Sequence, residues 1–152
     1  MFIFAMYIHD FPLPGGAKGS GDSDTAYVLE SGSWRKLSSM STVRKDPACA
    51  LYRNSVHVIG GQITQEDTDL ASTEIFDLSS ETWKAGADLP KAIGMKGKAF
   101  VYQDILYFLD VQGTVYKLDT GGNWVILSED GENIAKSVRP VVIVSKEALH
   151  CK

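Results

Sequence analysis

The chain has 152 residues, enough for one ordinary domain. Hydrophobic residues make up 44% and charged residues 22%, which excludes a disordered or fibrous chain. A formal net charge of −4 leaves no basic footprint, so duplex nucleic acid is not an expected partner.

The sequence opens on MFIFAMYI (residues 1–8), which is apolar but short. It lacks the basic start and cleavage site of a signal peptide, and a membrane helix needs about 20 apolar residues. It reads as a buried strand, and a chain that opens inside a strand suggests a truncated start. Strand signals then follow one another: ACALY (48–52), SVHVI (55–59), TEIFDL (73–78), KAFVY (98–102), ILYFL (105–109), TVYKL (114–118) and PVVIV (140–144). Turn residues separate them, as at Arg53-Asn54, Ser79-Ser80, Gln103-Asp104 and Thr120–Asn123. No segment carries a sustained helical stripe, although residues 130–137 could form one turn. The chain is expected to be all-β.

Alignment on tryptophan exposes a repeat. YVLESGSW ends at Trp34, FDLSSETW at Trp83 and YKLDTGGNW at Trp124. Each begins with an aromatic residue (Tyr27, Phe76, Tyr116) and passes through a polar turn. A tightly turned strand pair precedes each of the last two. The unit is a four-stranded antiparallel meander, strands a to d, of roughly 40–50 residues, the size of a propeller blade. Strands b and c are apolar on both faces, as blades stacked face to face require.

At this point the residues resemble the kelch repeat. Gly60-Gly61 ends strand b, Phe76-Asp77 lies in strand c, Trp83 opens strand d, and Arg44 stands ahead of strand a. The third unit departs from that pattern, with Asp110-Val111 in place of the glycine pair, but keeps Tyr116 and Trp124. The first unit keeps Tyr27 and Trp34, and Pro14–Gly16 fills the glycine place only loosely. The resemblance implies kelch-type β-propeller blades divided at 1–42 (partial), 43–90, 91–130 and 131–152 (the start of a further blade). A closed ring takes about four to eight blades, so an incomplete propeller of about three blades is the expectation, either a piece of a longer product or one of several copies that associate to close a ring, the first being favoured. In such a blade the glycine pair would let Phe76 and Trp83 pack at the blade's edge.

The residues offer little catalytic chemistry. His9, His57 and His150 fall in different units, and no His/Cys/Asp set has metal spacing. Cys49 and Cys151 suggest neither a metal site nor a disulfide scaffold, and a buried strand cysteine in a reduced, cytoplasmic protein is expected. GGAKGSG (15–21) lacks the order of a phosphate loop and precedes a strand. The acidic stretches at 22–24 and 65–69 lack the Gly and Glu of a calcium loop. No cofactor, no metal and no enzymatic activity are expected.

Topology gives the sharper inference. In a four-stranded antiparallel blade the b–c and d–a connections leave on the same side. That side gathers the long polar segments 15–24, 40–47, 62–71, 89–96 and 129–139, and function tends to live on long loops held by a rigid frame. The expected partner-binding residues are Arg44, Lys45, Gln62, Glu66, Asp67, Asp69, Lys91 and Arg139. Their mixed charge suits a protein or peptide ligand. The resemblance further implies the substrate-recognition part of a BTB-kelch adaptor for a cullin-3 ubiquitin ligase, with cullin-3 reached through BTB sequence outside this chain. Actin or cytoskeletal binding and a kelch-fold sugar-processing enzyme are the alternatives it carries.

Overall fold

The computed structural model of the chain describes residues 6–8, 22–30, 33–94 and 97–128. Three antiparallel sheets follow in chain order. The first holds β1 (Met6–Ile8), β2 (Ala26–Glu30) and β3 (Ser33–Lys36), in that order. The second opens with β4 (Ala48–Tyr52) and β5 (Ser55–Ile59). A side hairpin follows, made of β6 (Gln62–Ile63), a 3-10 turn at Thr64–Glu66 and β7 (Thr68–Asp69). The second sheet then closes with β8 (Thr73–Asp77) and β9 (Thr82–Ala85), giving the order β4-β5-β8-β9. The third sheet is the meander β10 (Lys98–Tyr102), β11 (Ile105–Leu109), β12 (Val115–Leu118) and β13 (Trp124–Ser128).

The strand pattern in the sequence survives with two physical adjustments. TEIFDL stops at Asp77 because its Oδ1 accepts from the N–H groups of Ser79 and Ser80, at 2.8 and 3.0 Å, and starts the turn. TVYKL starts at Val115 because Thr114 is bonded into the preceding turn by Asp110. The last three residues of the opening apolar run form β1, and the rest of that run lies outside the described residues. The strand expected at 140–144 and the turn expected at 130–137 lie outside the described residues. The side hairpin is an element that the sequence pattern did not reveal.

Period-two alternation explains how one sheet serves two cores. In the second sheet Cys49, Val56, Val58 and Phe76 share one face, with Val58 opposite Cys49 and Val56 opposite Phe76. They pack with Ala26, Val28, Leu37 and Met40 from the first sheet and the segment after it. Ala48, Ala50 and Ile59 on the other face pack with Leu106, Phe108, Tyr116 and Trp124 of the third sheet. Burial on both faces is therefore a consequence of stacking, as the apolar strands b and c imply. The strand-a elements β4 and β10 also run against each other. The aromatic repeat residues do the filling. Trp83 lies 5.0 Å from Phe76, ring centre to ring centre, and its Nε1 donates to Ser38 O at 2.7 Å, linking strand d to the preceding unit. Phe108 sits 5.7 Å from Tyr116 and 6.5 Å from Trp124. Tyr27 is half-buried, while Trp34 is 40% exposed.

His57 belongs to this frame. It lies in β5 between Ala50 and Ile75, with its ring 5.7 Å from Tyr52 in edge contact. Burial, with a smaller push from the Lys84 charge, lowers its pKa from 6.5 to about 4. The unfolded chain therefore takes up this proton first as the pH falls. The His57 contribution is complete above pH 6.5, declines toward pH 4 and is flat below. The expected loss is on the order of 3 kcal/mol. Urea unfolding midpoints measured across that window should show the decline, and His57→Phe should remove it.

Candidate functional site

Among the described residues, parts of four of the long connections (22–24, 40–47, 62–71 and 89–94) are tied together by backbone. Ser23 bridges Arg44, Lys45 bridges Gln62, β6 pairs with β7, and Leu70 bridges Ile93. The result is a belt of paired segments running from the first unit to the entry of the third. Lys45 N donates to Gln62 O at 2.8 Å and Gln62 N returns to Lys45 O at 3.1 Å. Leu70 N reaches Gly61 O at 2.9 Å and Ile93 N reaches Leu70 O at 3.0 Å.

Gly60 and Gly61 make the belt possible. Both have positive φ, +61° and +94°. A Cβ on Gly60 would lie 2.9 Å from Ile93 O, and one on Gly61 would lie 2.8 Å from Lys45 O. Only glycine satisfies the dihedrals and the approach together. The close approach is by neighbouring backbone, which corrects the expectation that the pair makes room for the rings of Phe76 and Trp83.

Arg44 is the main correction among the expected binding residues. It is 1% exposed, so it offers no side chain to a partner. Its Nη1 donates to Gly60 O at 2.8 Å and Ser72 O at 3.1 Å, and its Nη2 donates to Glu74 Oε1 at 2.9 Å. Burial draws its pKa down, while the Glu74 hydrogen bond and charge oppose that shift. Glu74 itself accepts from Ser41 N at 2.7 Å and Thr42 N at 3.1 Å. The position ahead of strand a marked Arg44 as notable. A guanidinium turned inward could not be told from one turned outward by spacing alone.

The other expected residues divide. Glu66, Asp67 and Asp69 are exposed on the side hairpin, and Asp67 takes φ +47° at its tip. Gln62 is half-buried, and its Nε2 donates to Asp67 Oδ1 and Asp69 Oδ1 at 3.2 and 3.3 Å. Asp22, from the 15–24 segment but not among the expected binding residues, joins this cluster. Its two carboxylate oxygens accept from Thr64 N at 3.0 and 2.9 Å, and hydrogen bonds from Thr64 hold its pKa below the usual value. Lys45 is half-buried beside the belt. Lys91 is half-exposed, and its Nζ sits 3.4 Å from Asp110 Oδ2. Arg139 lies outside the described residues.

Asp110 is the second residue that the sequence undervalued. It stands where the second unit has its glycine pair, and it is buried. Its Oδ1 accepts from Gln112 N and Thr114 N at 2.9 and 2.8 Å, and its Oδ2 accepts from the Tyr116 hydroxyl at 3.2 Å. One carboxylate thus closes a short b–c turn where the second unit builds a hairpin. The departure from the glycine pair was the available signal.

Among the described residues no group of three or more His, Cys, Asp or Glu could hold a metal ion. Cys49 is buried in the core between the first two sheets, as expected of a strand cysteine, and is not a free thiol, which corrects the expectation of reduced cysteine there. Among the same residues no helix is long and apolar enough to cross a membrane.

No family model matches the chain. It is similar to two F-box/kelch-repeat proteins of Arabidopsis thaliana. One is 31% identical over 71 residues, 47% of this chain and 17% of that protein. The other is 38% identical over 80 residues, 53% of this chain and 20% of that protein. The chain therefore matches about a fifth of the length of these relatives. Both similarities support kelch repeats. With its four-stranded antiparallel meanders, the chain is an all-β protein built of kelch-type blades.

Proposed function

We propose that the chain is a protein-interaction module that binds a protein or peptide ligand through the belt rim, as the recognition part of a longer adaptor. The observation that carries this reading is the belt itself. It holds Glu66, Asp67 and Asp69 outward on a hairpin whose backbone is bonded on both sides. A preformed surface loses little conformational freedom on binding. With Arg44 turned inward and Lys91 beside Asp110, the outward charge among the described residues of this rim is mainly acidic. The ligand chemistry that fits is an extended or loop segment bearing Lys or Arg.

The role is recognition, not catalysis. Ubiquitin-ligase adaptors of the BTB-kelch type, working with cullin-3, were the context implied by the sequence resemblance. The names of the two relatives favour an F-box context instead. The test is charge reversal at the hairpin. Glu66→Lys with Asp67→Lys should weaken partner capture by at least about tenfold. Ser80→Lys on the opposite rim should leave capture unchanged. Equal capture by all three chains would show the rim to be misassigned.

A further inference from the structure

We infer that Arg44 and Glu74 are positioning residues for the recognition hairpin, setting its angle to the rim from below. This rests on the reading of the belt rim as the binding surface. The hairpin leaves the second sheet after Gly60 and returns at Ser72, and Arg44 Nη1 donates to the carbonyl oxygens of both residues, at 2.8 and 3.1 Å. Both roots of one loop are thus held by one nitrogen. Arg44 Nη2 also reaches Ser72 Oγ at 3.3 Å and Glu74 Oε1 at 2.9 Å. Glu74 then accepts from Ser41 N and Thr42 N, in the d–a connection that precedes Arg44. The ion pair therefore joins the roots of two rim segments from different units.

The pair is not required for closing a blade as such. The third unit closes its b–c connection with Asp110 and a tight turn, and there it carries no hairpin. The bonds that the pair makes go to the roots of the protruding segments. Arg44 Nε is buried without a hydrogen-bond partner, so the guanidinium is oriented by its two terminal nitrogens alone. A change in the pair should then tilt or loosen the hairpin before it disturbs β5 or β8.

Hydrogen exchange on the full chain tests this without any partner. In the unaltered chain the amides of Ser41, Thr42, Gln62 and Leu70 should open as one unit, at a common rate under mild denaturant. In Arg44→Lys, which keeps the charge but cannot reach all four acceptors, those amides should exchange at least about tenfold faster. The amides of β5 and β8 should still exchange only through global unfolding, with its steeper denaturant dependence. Two results would overturn the inference: independent opening of Ser41 and Leu70 in the unaltered chain, or hairpin amides of the variant that open only with global unfolding. If Arg44→Lys does not fold, the unaltered chain decides. Failure of the hairpin charge reversals with the exchange result intact would sink the binding reading and leave the positioning role standing.

Discussion

Arg44→Met will destabilise the chain by about 3–5 kcal/mol, the cost of leaving the Glu74 carboxylate buried without its cation. Domains of ordinary stability hold about 5–15 kcal/mol in all, so urea should unfold this variant at a much lower midpoint. Removing both charges by Arg44→Met with Glu74→Leu is neutral or even stabilising in many buried pairs. Here it will remain destabilising. Gly60 O and Ser72 O lose their donor, and Ser41 N and Thr42 N lose their acceptor. Gly60 is buried, and a buried backbone group left unsatisfied costs about 1–3 kcal/mol; the part-buried groups at Ser41, Thr42 and Ser72 cost less. A double variant as stable as the parent would show that the pair's backbone bonds contribute little.

The second large effect is expected at Gly61. A residue with a Cβ pays about 1–2 kcal/mol for the left-handed region. At φ +94° its Cβ would also lie 2.8 Å from Lys45 O and 3.3 Å from Pro47 Cα. Forcing that backbone apart adds roughly 1–3 kcal/mol. The damage should be directional. Gly61→Ala opens the Lys45–Gln62 bridge, so the belt should lose exchange protection even where the sheets keep theirs. Gly122 is the control. It also has positive φ, at +80°, but its Cβ would meet nothing within 4 Å. Gly122→Ala should cost only the dihedral part, so the difference between the two midpoints isolates the close approach.

The frame was legible in the sequence because two local rules act on it strongly. Alternation over Ser55–Ile59 and the turn residues at Arg53-Asn54 place β4 and β5 to the residue. The spacing of Trp83 and Trp124 from Phe76 and Tyr116 gives the unit. The bridges Ser23–Arg44, Lys45–Gln62 and Leu70–Ile93 join described parts of four of the long connections. What the sequence did not carry was side-chain direction. Arg44 and Lys45 are neighbours of like charge, yet one is buried and the other only half-buried. The choice depends on Glu74, 30 residues on, whose carboxylate faces inward from β8. Local pattern cannot weigh a pairing of that range. The side hairpin was hidden for a related reason. Its two strands hold two residues each, too short for alternation to register, and their pairing is set by Gly61 and the Lys45 bridge.

The central claim is that the belt rim, not the opposite rim, meets the partner. A photo-crosslinking side chain at Asp67, compared with one at Ser80, tests it most directly. Asp67 is exposed at the hairpin tip, and Ser80 is exposed in the turn between β8 and β9. A crosslinked partner from the Asp67 chain and none from the Ser80 chain is the predicted result. Crosslinking from Ser80 with none from Asp67 would contradict it and move the binding surface to the short turns.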